Sequence, residues 1–198
     1  MITLKNISKS FGGLKAVQDV SIEIEKGSIT GLIGPNGAGK TTLFNIIAGF
    51  YKADTGSISL NNEDISGLRS DQLFAKGLLR TFQIAHEFDN LSVRENLMMV
   101  PSDQAGENII NTWLFPGKIK KEEKINHDRA SEVMDFLGLY HLRNEKAGIL
   151  SGGQKKLLEL GRTMMVDAKI VLLDEVGAGV NKTLLKKISK SIARLNRE

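Results

Sequence analysis

The chain lacks cysteine altogether, carries a single tryptophan, and has aromatics at only 6% of its 198 residues. Without cysteine, disulfides and thiolate metal sites are excluded, which fits a reducing compartment. No apolar run approaches the roughly 18 residues needed to span a bilayer, and the first residues have no signal-peptide pattern. The three histidines, His86, His127 and His141, share no metal-ligand spacing. Charge of one sign is also scarce in excess: 27 basic against 23 acidic residues leaves a formal +4. That balance suits an anionic ligand but does not by itself indicate nucleic acid. What is present is ordinary for a soluble globular chain, with 41% apolar and 25% charged residues. The length suffices for one domain with a sizeable core and an inserted subdomain.

Glycine is not scarce, and its placement organises the rest. Gly34-Pro35-Asn36-Gly37-Ala38-Gly39-Lys40-Thr41-Thr42 fits the pattern G-x-x-x-x-G-K-[ST] of a phosphate-cradling loop. Glycines let the backbone curl until successive N–H groups point inward at a polyphosphate. A helix starting near Gly39 turns its positive dipole end to the same anion. Lys40 then reaches the β- and γ-phosphates, and the Thr41 hydroxyl ligates Mg²⁺. The flanks have the required order. Ile29 to Ile33 reads as a short buried strand before the loop, and Thr42 to Gly49 as a glycine-closed helix after it.

Alternating apolar and polar residues over Ile2–Ile7, Val20–Glu25 and Ser57–Leu60 predict an antiparallel layer beside the phosphate-loop strand. Phe11, ahead of Gly12-Gly13, reads either as a core aromatic or as a flat face for an adenine ring, the pattern alone favouring the core. From Leu73 to Leu142 the texture turns helical. Ser92 and Glu95 form a capping box, and Lys120–Leu137 is an amphipathic helix with Ile125, Val133, Met134 and Leu137 near one face, stopped at Gly138. Between them Pro101–Pro116, with Trp113, reads as an irregular surface excursion. Met98, Met99, Met134, Met164 and Met165 read as core filler or as a methionine-lined partner groove.

Ile170-Val171-Leu172-Leu173 predicts a strand buried on both faces, ending in Asp174-Glu175. Asp174 is the natural Mg²⁺ partner of such a loop, and Glu175, pointing differently, polarises the attacking water. A basic amphipathic helix, Lys182 to Arg197, follows; its lysine face is either simply solvated or a polyanion contact. Leu150-Ser151-Gly152-Gly153-Gln154 reads as another capping box and, with its glycines, as a second anion site far from the first in sequence.

Here the chain resembles the ATP-binding cassette family, whose hallmark is this signature between two nucleotide motifs. The resemblance runs along essentially the whole length. It implies an α/β fold: a P-loop NTPase core of mixed sheet and helices, with an antiparallel β subdomain and an inserted helical subdomain, divided as 1–83 with 145–198 and 84–144. Phe11 matches the adenine-stacking aromatic. Gly34, Asn36, Gly37, Ala38, Gly39, Lys40, Thr41 and Thr42 match the phosphate loop. Gln83 matches the glutamine that touches Mg²⁺ and water, joining Thr41 and Asp174 at the metal. Ser151, Gly152, Gly153 and Gln154 match the signature, Glu175 the catalytic carboxylate, and Ala178 to Asn181 the dimer-facing loop.

The resemblance further implies ATP and Mg²⁺ as ligands and a second ATPase subunit, identical or not, paired head to tail so that its signature covers the γ-phosphate. It implies an integral membrane permease, a solute-binding protein acting indirectly, no nucleic acid, and a place on the cytoplasmic face of the cell membrane. Ser10–Val17, Arg80-Thr81-Phe82-Gln83 and the excursion before Lys120 are most similar to importer ATPases for branched-chain amino acids and solutes such as urea. The alternative is a soluble cassette acting on nucleic acid or ribosomes; it lacks the sustained heptads of DNA-repair relatives and the second cassette of ribosome-acting ones. Two departures stand out. Val176-Gly177 replaces the family's proline after the glutamate. A switch histidine and a further strand are expected beyond Glu198, so that the chain reads as C-terminally truncated and binds ATP better than it hydrolyses it.

Overall fold

The alternation at the N-terminus becomes strand β1 (Ile2–Phe11), which turns at Gly12-Gly13 into β2 (Leu14–Ile24). The computed structural model describes residues 1–81, 88–102, 104–174 and 182–196, without the side chains of Leu184 and Lys187. It divides the chain into two compact units: Met1–Arg80 with Lys169–Asp174 and Ile192–Glu198, and Thr81–Ala168 with Glu175–Ser191.

In the first unit the sheet order is β2-β1-β3-β4, all antiparallel, with β3 at Thr55–Leu60 and β4 at Glu63–Asp64. The β1–β2 register slips between Leu4 and Ile7. Asn6 and Asp19 sit there at φ 50° and 45°, a left-handed conformation that short polar side chains tolerate best. They bind each other, Asn6 Nδ2 donating to Asp19 Oδ1 at 2.7 Å. The bulge re-aims the strand so that Ile2, Leu4 and Ile7 all point inward despite their uneven spacing.

Helix α1 (Lys40–Ile47) follows the phosphate loop and buries Leu43, Ile46 and Ile47. Those three share one core with Ile2, Leu4, Ile7, Ile58 and Leu60. Each such side chain contributes about 1.5–3 kcal/mol when fully removed from water. Helix α2 (Ser70–Ala75) adds Leu73, and Leu78 and Leu172 come from a small parallel sheet of β5 (Leu78–Arg80) and β6 (Ile170–Leu172).

Two expectations fail in this unit for a common reason. The run Ile29–Ile33 is not a strand and is not buried: Ile33 is 95% exposed. Strand β6 is not covered on both faces, since Val171 is exposed and only Leu172 is buried. An apolar run supplies side chains, but a strand also needs a ladder partner. Among the described residues β6 pairs with β5 alone, and 29–33 pairs with none. Strand β5 itself lies where helix was expected.

In the second unit α3 (Val93–Met98), α5 (Pro116–Leu137) and α6 (Gly152–Met164) pack together through Leu97, Val133, Leu137 and Leu158. They approach closely at Gly161, where an added Cβ would stand 2.9 Å from Leu137 Cδ1 and 3.2 Å from Leu97 Cδ2. The capping box at the start of α3 is present, with Glu95 N–H donating to Ser92 Oγ at 3.2 Å and Ser92 N–H to Glu95 Oε2 at 2.7 Å. Helix α5 starts at Pro116 rather than Lys120 and leaves Ile125 exposed, because Ile125 lies before the packed stretch Ala130–Leu137. The preceding excursion contains α4 (Ile109–Leu114), an exposed helix rather than irregular chain. Met134 and Met165 are core residues, whereas Met99 is exposed. Helix α7 spans Lys182–Leu195 and buries Ile188 and Ser191.

Asn96 is fully buried in this unit. Its amide accepts from Phe88 N–H at 2.9 Å and donates to the carbonyls of Phe88, Leu91 and Ser92 at 3.1, 3.3 and 3.0 Å. Asn96→Ala strands these backbone groups, and urea denaturation is expected to show a loss on the order of 2 kcal/mol or more. A loss below about 0.5 kcal/mol, the usual bound for neutral surface changes, would refute that reading.

Candidate nucleotide-binding site

The phosphate loop is anchored from below by β2. Gly39, the N-cap of α1, has φ 81°, and a Cβ there would lie 2.2 Å from the Ala16 carbonyl oxygen. Only glycine fits so close to a backbone atom in this conformation. Gly37 shares the φ of 81° but faces open space. Lys40 opens α1, and its Nζ donates to the carbonyls of Gly34 and Pro35, 2.8 Å each, closing the loop on itself. Leu43 N–H donates to Gly39 O at 2.8 Å, so the helix begins where the loop ends. N–H groups at that end give an anion its partners.

Phe11 ends β1 and is 43% exposed, not a core residue. Tyr51 meets it edge-on, centroids 5.3 Å apart at 72°, and Lys9 Nζ lies 5.6 Å from its ring centre. The strand end is clamped from β3's side. Lys9 Nζ and Ser10 N–H both donate to the Asp54 carboxylate at 2.7 Å, and these bonds, Lys9 first, hold its pKa below the ordinary aspartate range. The clamp holds β1 at the base of the aromatic, which stays partly exposed.

Asp174 lies two residues beyond the end of β6, and its partner was not foreseen. Arg80, the last residue of β5, donates from one guanidinium nitrogen to Asp174 Oδ2 at 3.0 Å and from the other to Asn45 Oδ1 of α1. Parallel pairing sets this up, since Arg80 stands opposite Leu172 in the register. Arg80 thereby ties the acidic strand end to the helix that carries Thr41. The pairing of two strands about 90 residues apart, which gives Arg80 this place, could not be read from the sequence.

The donor set is informative about metal. Among the described residues no three His, Cys, Asp or Glu side chains gather. One carboxylate, Asp174, and one hydroxyl, Thr41, suit an ion such as Mg²⁺ that keeps water and brings phosphate oxygens with it, rather than one caged by protein. Gln83, Glu175 and Ala178–Asn181 lie outside the described residues, as does His86.

In the second unit Ser151 caps α6. Gln154 N–H donates to Ser151 Oγ at 3.4 Å and Ser151 N–H to Gln154 Oε1 at 2.9 Å. Ser151 and Gly152 are exposed, and a Cβ on Gly152 would meet nothing within 4 Å. Internal packing therefore does not account for that glycine. Backbone N–H groups are left accessible at the start of a 13-residue helix.

A phosphate loop opening a helix, with an aspartate at the end of a neighbouring parallel strand, defines a P-loop nucleotide-binding protein. The comparisons refine this class. A family model described as ABC transporter matches residues 17–178, and the chain belongs to that family. A probable branched-chain amino acid transport ATP-binding protein, LivG, from Archaeoglobus fulgidus is 44% identical, covering 93% of this chain and 70% of the relative. Its namesake from Methanocaldococcus jannaschii is 40% identical over 98% of this chain and 75% of its own length. Among solved structures, a nucleotide-free ATP-binding cassette from an ABC transporter matches with TM-score 0.82 and 40% identity, covering 99% of this chain and 77% of that one. The ADP conformation of MJ1267, also an ATP-binding cassette of an ABC transporter, matches with TM-score 0.82 and 39% identity over 99% and 76%.

Proposed function

We propose that this chain is the ATP-binding and ATP-hydrolysing subunit of an ABC importer for branched-chain amino acids or related small solutes. The observation that carries the reading is the relatedness to branched-chain amino acid transport ATP-binding proteins at 35–44% identity over nearly the whole chain. The site is compatible with it, from the cradle at Gly34–Thr42 to Asp174.

In this reading ATP lies with its adenine on Phe11 and its phosphates in the loop, where Lys40 exchanges the Gly34 and Pro35 carbonyls for the β- and γ-phosphates. Mg²⁺, held by Thr41, Asp174 and Gln83, supplies charge neutralisation at the phosphates when bound. Glu175 orients a water and takes its proton as the water oxygen bonds to the γ-phosphorus. The bond from that phosphorus to the β–γ bridging oxygen breaks, leaving ADP and phosphate. The accessible cap at Ser151–Gln154 belongs to the site of a second subunit, identical or not, and closes over that subunit's γ-phosphate; an open Gly152 suits such an approach.

Among the described residues no helix is long and apolar enough to cross a membrane. In this reading attachment runs through an integral permease, contacted near Gln83, on the cytoplasmic face, with a solute-binding protein engaged through that permease. The test is purification from membranes with the permease, followed by ATPase assay with binding protein and leucine. Leucine-stimulated hydrolysis is expected. Recovery on ribosomes or DNA instead, or stimulation only by an unrelated solute, would overturn the assignment.

A further inference from the structure

The Arg80–Asp174 pair is buried more deeply than an accidental surface ion pair: 8% of the Arg80 side chain and 14% of the Asp174 side chain are exposed. A buried carboxylate requires a positive partner, and in this structure the guanidinium supplies it. Arg80 is held from two further sides. It donates to Asn45 in α1, and its Cζ lies 5.7 Å from the centre of the Phe50 ring. Its Nε is buried without a hydrogen-bond partner among the described residues.

We propose that Arg80 is a positioning residue that keeps Asp174 neutralised until nucleotide arrives, so that a divalent cation enters only together with phosphate. The proposal rests on the ATPase reading and adds an order of binding to it. With the guanidinium 3.0 Å away, Asp174 offers a lone divalent ion little net attraction, and Thr41 adds only a neutral hydroxyl. Phosphate oxygens tip the balance. When an ion then neutralises Asp174, Arg80 is not stranded, because Asn45 and the Phe50 face continue to hold it. A planar fork that bonds two residues at once and stacks on a ring is an arginine property; lysine reproduces the charge but not the second bond.

The test uses Mn²⁺ as the probe, titrated without nucleotide and followed by electron paramagnetic resonance. Arg80→Met is expected to bind Mn²⁺ at least tenfold more tightly than the parent chain, a gain of affinity that a merely structural role would not produce. Arg80→Lys should return close to the parent behaviour, and adding Asp174→Asn to Arg80→Met should erase the gain. Binding of a fluorescent ADP in EDTA by Arg80→Met and Arg80→Lys should stay within about twofold of the parent chain. Superimposable Mn²⁺ titrations for the parent and a folded Arg80→Met, or a gain that survives Asp174→Asn, overturns the proposal. Arg80→Gln, closer in polarity, makes the same comparison should the methionine variant fail to fold. Failure of the parent chain to bind ADP at all would sink the ATPase reading instead, and the Mn²⁺ comparison would still decide the role of Arg80.

Discussion

Gly39→Ala is expected to lower the affinity for ATP by at least about a hundredfold, the equivalent of about 2.7 kcal/mol. The substitution adds one carbon, yet that carbon would stand 2.2 Å from the Ala16 carbonyl oxygen and 3.4 Å from Val17 Cγ2. The first atom belongs to the backbone of β2, which is paired along its length with β1 and cannot step aside cheaply. The loop must move instead, and with it the first N–H groups of α1. A φ of 81° adds the ordinary cost of left-handed backbone for a residue with a Cβ, about 1–2 kcal/mol. Gly37→Ala is the internal control: it has the same φ but open space, so it bears the backbone cost without the collision. Titration with a fluorescent ATP analogue separates the two. Gly39→Ala binding within threefold of the parent chain would show that the loop is not anchored on β2 as described.

Glu175→Gln should cut hydrolysis by about 10²–10⁴-fold, the range that a positioned general base contributes, while ATP stays bound. Glutamine keeps the size and hydrogen bonding of the side chain but cannot take the proton of the attacking water. With chemistry blocked and ATP retained, the paired state should accumulate, visible in sedimentation as a dimer that forms with ATP and not with ADP. Phosphate release within tenfold of the parent rate, or monomer alone under saturating ATP, would remove Glu175 from the role assigned to it.

The parts of this fold that were legible in the sequence are those whose causes are local. The hairpin layer follows from alternation, the start of α1 from Gly39-Lys40, and both serine caps from a Ser and a Glu or Gln three residues apart. Pairings between distant segments were not legible. Strand β5 is three residues long, too short to show a period, and its partner lies about 90 positions later. Arg80 acquires its role only through that pairing. Conversely, Ile29–Ile33 has strand-like composition, but composition cannot provide the neighbour a strand needs. Phe11 shows the same division: its chemistry was readable, whereas its exposure depends on where β1 ends.

Trp113 is the chain's one indole, and it stands 87% exposed on α4 beside Ile109, Ile110 and Leu114, which are also exposed. Its emission is therefore expected to be that of an indole in water, red-shifted and open to collisional quenchers. Ultraviolet fluorescence of this protein is in effect a single-site gauge of α4. A blue shift on mixing with vesicles, permease or a second subunit would report contact at that helix and not repacking of a core.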